Sequence, residues 1–207
     1  MATKTLGDLY SRFVARSNYL VQKFETPLPL PSDPTHRAIC DAVQCDGRAL
    51  MLIKLQFIWG EFCRELITRS AIGGYQTISG TMVRQSSSVT SHKDVQDAID
   101  KQGGNRPPAW HVPSFAVGVA KRLGTQNFRQ ITLALGLTSP VDDLRKARNY
   151  IVHPWKDTRI QYEQVVWKFS LSFVDPVSLL TARLPGGATR FEAWVDDFQM
   201  MVLEAVR

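Results

Sequence analysis

Apolar residues recur along this chain mostly at helical spacing. Leu6, Leu9, Phe13, Leu20 and Phe24, with charges between them, predict a first helix over residues 4–24. Pro27, Pro29, Pro31 and Pro34 then impose an extended connector, because each ring fixes φ and discourages helix just before it. Ser32 or Asp33 ahead of Pro34 predicts the next helix start. Residues 50–72 hold the clearest helix, with Leu52, Leu55, Trp59, Phe62 and Leu66 stepping by three and four. Gly47 is expected to break or kink it away from the segment around 38–43.

Residues 73–93 change character. Gly73, Gly74, Gly80 and a serine-rich run predict a flexible loop or insertion. Ser91 with Asp94 reads as a capping box for a short helix ending near Gly103 and Gly104, and 105–108 as a loop. Helices follow over 113–123 and 125–135. Ser139-Pro140-Val141-Asp142 is a strong helix start, and Pro154 must stop that helix near His153. Residues 159–174 fit a helix or a strand equally well. Asp175-Pro176 opens a short helix, and Thr189 with Glu192 caps a last one carrying Phe191, Trp194, Phe198 and Val202. The expectation is one all-α domain spanning residues 1–207.

Composition narrows the class. A chain of 207 residues with 44% hydrophobic positions can bury a sizeable core, which excludes wholesale disorder. Three cysteines, Cys40, Cys45 and Cys63, are too few for a disulfide framework, and no partner pair completes a zinc site. No metal or cofactor is expected. No apolar run approaches the roughly 18 residues of a membrane span, and the opening Met1-Ala2-Thr3-Lys4 is unlike a signal peptide. A cytoplasmic protein away from the membrane is expected. The net charge is +6, and the stretch from Lys101 to Val141 carries five basic residues without one acid. That suits a phosphate-rich partner, though basic helix ends in solvent suit it equally.

The chemistry concentrates in Leu144-Arg145-Lys146-Ala147-Arg148-Asn149-Tyr150-Ile151-Val152-His153-Pro154-Trp155. Arg148 and His153 bracket four residues, with an amide side chain directly after the arginine. The spacing alone is common, and Arg106-Pro107-Pro108-Ala109-Trp110-His111 repeats it where two prolines forbid a rigid helix. In the later stretch Asn149 and His153 lie about 40° apart on a helix and Arg148 flanks the same broad side. His153 falls in the last turn, where helix carbonyls favour a cation. A capping histidine beside a surface arginine paired with Asp142 or a nearby acid accounts for the same residues and stays open at this point.

Arg148-Asn149-x3-His153, late in a helix of an all-α chain, resembles the R-x4-6-H signature of the HEPN superfamily, in which a polar residue often follows the arginine. The helix Trp59-Gly60-Glu61-Phe62-Cys63-Arg64-Glu65-Leu66 resembles the long early helix of stand-alone bacterial members. The likeness is tight over residues 139–157 and loose over 46–70. It implies a HEPN-like helical bundle that dimerises through the motif helix. It also implies a metal-independent endoribonuclease in toxin–antitoxin, abortive-infection or other antiviral defence. Carried over, His153 transfers the proton around the RNA 2′-hydroxyl, Arg148 holds the scissile phosphate through its planar fork, and Asn149 orients the histidine or a phosphate oxygen. The product would be a 2′,3′-cyclic phosphate, and DNA would be refused for want of the hydroxyl.

Pro154 departs from the glycine or small residue of many members, and bends the chain just after the histidine. Arg145, Lys146 and Lys156 are the candidate RNA contacts. Trp155 either stacks on a base or, as tryptophans after helix ends more often do, packs inward. Trp110 and His111 are expected at a loop edge near the site, Glu61 and Glu65 against the site arginine, and Tyr150 as a modification target. The implied partners are RNA, a second copy completing a composite site, and an antitoxin or regulatory protein. The alternatives are a non-catalytic HEPN-like module that binds nucleotide, RNA or protein, and an unrelated helical scaffold.

Overall fold

The computed structural model describes residues 4–27, 32–104, 107–136, 139–169, 171–172 and 174–207, with the backbone alone for His36. Among them the elements run α1 (Gly7–Glu25), α2 (Pro34–Ile72), β1 (Tyr75–Gln76), β2 (Met82–Val83), α3 (His92–Gly103), α4 (Pro113–Leu123), α5 (Phe128–Leu135), α6 (Ser139–Val152), α7 (Lys156–Lys168), α8 (Pro176–Thr181) and α9 (Arg190–Val206). The chain is mainly helical, and no helix among the described residues is long and apolar enough to cross a membrane. Pro29 and Pro31 of the connector, Asn105 and Arg106 of the second loop and Phe173 lie outside the described residues.

Local signals set most boundaries. Asp94 and Ser91 close the reciprocal cap of α3, and hydrogen bonds from Thr90 and Ser91 hold the Asp94 carboxyl down to about 2. Asp175 Oδ1 accepts from the backbone N–H of Val177 (2.9 Å) and Ser178 (3.0 Å) at the start of α8. Within the ambiguous 159–174 stretch, residues 159–168 belong to α7, with Tyr162, Val165 and Val166 buried at helical spacing. Gly47 does not break α2, which runs unbroken for 39 residues. A Cβ at Gly47 would meet nothing within 4 Å.

The chain forms two compact units, each with its own core. One holds Met1–Ala15, Phe57–Val141 and Asp197–Arg207, and the other Arg16–Gln56 and Asp142–Asp196. In the first, Trp59 is fully buried, with its ring edge-on to Phe13 (6.4 Å between centroids) and to Phe198 (4.9 Å). Residues 73–91 belong to this unit, and their glycine and serine content does not leave them without structure. Leu6 N–H donates to Gln76 O (2.8 Å), Ser86 N–H to Ala71 O (2.9 Å) and Ser88 Oγ to Leu123 O (2.6 Å), and Val83 and Val89 are buried. Gly73 is obligatory there. Its φ is +72°, and a Cβ would lie 2.1 Å from Gln85 N.

The second unit carries the motif helix. Phe24 stacks on Phe191 at 4.6 Å, Arg190 lies 3.6 Å over the Phe169 ring, and Leu144, Tyr162, Val165 and Leu179 are fully buried. The long α2 presents two apolar sides. Leu52 and Leu55 face the core, whereas Ile39, Val43 and Leu50 are 56%, 54% and 44% exposed.

Candidate active site

Pro140 sits in the first turn of α6, and Val141, Leu144 and Ala147 recur at three-residue steps and are buried. Asp143 shares that inward side. Its carboxylate is 5% exposed and meets Lys168 Nζ of α7 at 2.5 Å. Tyr150 stacks face to face on Tyr162 of α7, with centroids 5.0 Å apart and planes 8° from parallel. Tyr162 is buried, donates its hydroxyl to Val174 O (2.9 Å), and has its ionisation pushed up by burial. These contacts join α6 and α7 into a helical hairpin, with Arg148 and Asn149 near the end of α6 and His153 in the connection.

Arg148 is half-buried. Its Nη1 donates to Asn149 Oδ1 at 3.1 Å, its Nε is buried without a hydrogen-bond partner, and among the described residues it makes no ion pair. A guanidinium has five donors in one plane, so most of this group's capacity is unspent. Asp142 does not hold it. That carboxylate binds Arg145 Nη2 (2.6 Å) and Lys146 Nζ (3.0 Å) instead. Burial pushes the Asp142 carboxyl up, but the hydrogen bonds from Arg145 and Lys146 outweigh it and hold the group below its ordinary value.

His153 is exposed and follows the last residue of α6. Its N–H still completes a helical bond to Asn149 O (2.8 Å), so Asn149 is tied to Arg148 by its side chain and to His153 by its backbone. Pro154 ends the helix without displacing the histidine from that bond. Trp155 N–H folds back to His153 O (2.7 Å), and the Thr158 hydroxyl donates to the same carbonyl. Thr158 also accepts from Trp155 N–H at 3.1 Å. Sequence reasoning missed Thr158, although a hydroxyl three residues beyond the turn is the pattern of a local cap.

The other candidates fare differently. Lys156 is exposed in the first turn of α7. Arg145 and Lys146 share Asp142, and Lys146, whose side chain is 15% exposed, also donates to Gln164 (3.2 Å). Trp155 is 70% exposed, so the more common inward packing does not occur. Proline at position 154 turns it away before the next helix can bury it. Trp167, at the far end of α7, is 65% exposed.

Trp110 and His111 lie in the first unit, close to Gly60, with Trp110 edge-on to Phe115. Glu65 binds Arg69 (3.5 Å), Arg64 (3.9 Å) and Arg12 (4.0 Å) in that same unit. The decoy arginine, Arg106, is outside the described residues. Among the described residues no three His, Cys, Asp or Glu side chains cluster as metal ligands would. No protein-family model, no curated protein and no solved structure matches this chain.

Proposed function

We propose that this protein is a HEPN-like, metal-independent endoribonuclease, acting as a toxin or defence effector from a site shared between two copies. The observation that carries the reading is the linked trio at the end of α6. Arg148 is oriented by the Asn149 amide and shares no carboxylate, and Asn149 is bonded through its backbone to exposed His153. A fixed guanidinium with spare donors beside an exposed imidazole is the pair that phosphodiester transfer uses.

In this scheme Arg148 grips the non-bridging oxygens of the scissile phosphate and stabilises the charge that grows on them. Asn149 holds Arg148 through its carbonyl and keeps its amide hydrogens for a phosphate oxygen. The RNA 2′-oxygen bonds to phosphorus as the P–O5′ bond breaks. His153 takes the hydroxyl proton and, as imidazolium, gives a proton to the departing 5′-oxygen, returning to its neutral form. A 2′,3′-cyclic phosphate and a 5′-hydroxyl remain. Lys156 and Trp155 support the RNA reading, one an exposed cation and the other an exposed stacking surface directly after the histidine.

The test is cleavage of a single-stranded RNA in EDTA by wild type, Arg148→Ala and His153→Ala, with the product ends identified. Wild type cuts to cyclic-phosphate ends, both variants lose at least about a hundredfold in rate, and the all-DNA analogue survives. Uncut RNA with folded wild type, or equal cleavage by His153→Ala, sinks the proposal. RNA retained without cleavage would mark a binding module.

A further inference from the structure

Two tryptophans stand in solvent at the two ends of α7. Trp155, just before its first turn, is 70% exposed, and Trp167, in its last turn, is 65% exposed. They lie 12 residues apart, about 18 Å at 1.5 Å per residue. Lys156, Ile160, Glu163 and Trp167 share a stripe about 60° wide at 100° per residue, turned from buried Tyr162, Val165 and Val166. Lys156 is exposed, and Arg159 beside the stripe keeps its side chain 56% exposed while it holds Glu163 at 3.0 Å. Lys168 follows Trp167 with its side chain 43% exposed. The remaining acid, Asp157, lies in the first turn, where helix N–H groups favour a carboxylate.

Neither indole gives its area to the core, so neither is explained by folding. A helix that docks on a protein sets apolar anchors three, four and seven residues apart. Here the positions three and four before Trp167 are Gln164 and Glu163, and those three and four after Trp155 are Thr158 and Arg159. Ile160, seven before Trp167 and 48% exposed, adds an aliphatic contact without joining the two rings into one apolar face. Aromatic surfaces set among cations and amides fit an unpaired nucleic-acid strand, whose bases stack while its phosphates follow the positive charge.

We infer that α7 is the track of an unpaired RNA strand running from the scissile phosphate, stacked on Trp155 beside the site and on Trp167 at the far end. Trp155 belongs to the site end because its N–H is bonded to His153 O (2.7 Å). Beyond it Lys156 and Arg159 meet phosphates. The span to Trp167 is about five base steps at the 3.4 Å stacked rise, and fewer where the strand is extended. Cleavage therefore needs several unpaired nucleotides on one side of the cut, and Trp167 counts only for strands long enough to reach it. The inference rests on the proposed ribonuclease reading and deepens it by naming the length and unpaired state of the substrate.

The test is a binding titration with 2′-O-methyl RNA strands of about 12 and about 3 nucleotides, which lack the attacking hydroxyl and stay uncut. Trp167→Ala removes an exposed side chain and keeps the melting temperature. It binds the long strand about tenfold more weakly and the short strand as wild type does, and Trp167→Phe restores most of the affinity. The duplex form of the long strand binds more weakly than the single strand. With cleavable RNA, Trp167→Ala raises KM about tenfold for the long substrate and leaves kcat in place. A long strand held equally by wild type and Trp167→Ala, the result expected of a protein-docking face, overturns the inference. Equal losses for both lengths, or tighter binding of the duplex, overturn it as well. Failure of the ribonuclease reading is scored apart. Trp167-dependent binding without cleavage of natural RNA removes catalysis and keeps the track, whereas cleavage indifferent to Trp167 keeps catalysis and removes the track.

Discussion

Lys168 Nζ lies 2.5 Å from the buried Oδ1 of Asp143, so the end of α7 is bonded to the start of α6 across the hairpin that carries the motif. The two partners are unequal. Asp143 is 5% exposed and Lys168 is 43% exposed. Lys168→Met therefore strands a desolvated carboxylate and should cost about 2 kcal/mol, read from urea unfolding. Replacing both, Asp143→Leu/Lys168→Met, should recover most of that loss, because no buried charge remains. A double variant as unstable as the single one would show that the lysine matters through packing.

Thr158 fixes the turn after His153 by holding the His153 carbonyl and the Trp155 N–H. Thr158→Val should lower RNA cleavage several-fold and stability by about 1 kcal/mol, and Thr158→Ser should restore both. A serine variant as slow as valine would exclude the hydroxyl as the positioning element.

Trp155 is 70% exposed, so Trp155→Ala should leave the melting temperature in place. Its effect should appear in single-stranded RNA affinity, weakened about tenfold by the loss of one stacked base, as a binding titration would show. Unchanged affinity would remove tryptophan stacking from the RNA path.

Acid should release the cations that Asp142 holds. The folded Asp142 carboxyl ionises below its ordinary value, so its contribution is complete above the ordinary carboxylate range and disappears as pH falls through the folded value. Asp142→Asn should cost about 0.5 kcal/mol at pH 7, as expected for a partly exposed pair, and progressively less as pH falls through the folded value. It should also free Arg145 and Lys146 and tighten RNA binding at neutral pH, with a steeper salt dependence.

Two glycines should respond oppositely. Gly73→Ala drives a Cβ into the Gln85 backbone at a positive φ and should cost 2 kcal/mol or more, roughly. Gly47→Ala fills open space in mid-helix and should add about 0.5–1 kcal/mol in urea unfolding at low protein concentration.

The helical class and most helix starts are legible along the chain, since these depend on neighbours within one turn. Ser91 with Asp94, Asp175 ahead of Pro176 and Thr189 with Glu192 are local devices, and their partners are three residues away or fewer. The same local signals bring Arg148, Asn149 and His153 to one helix end, because Pro154 must stop that helix. The rest follows from packing between distant segments. Whether residues 159–168 formed a helix depended on what Tyr162 and Val166 could pack against. The division into two units and the anchoring of residues 73–91 turn on which groups meet in space. Exposure of Trp155 and of the outer face of α2 is likewise invisible to periodicity, which marks a residue as apolar without saying whether anything arrives to cover it.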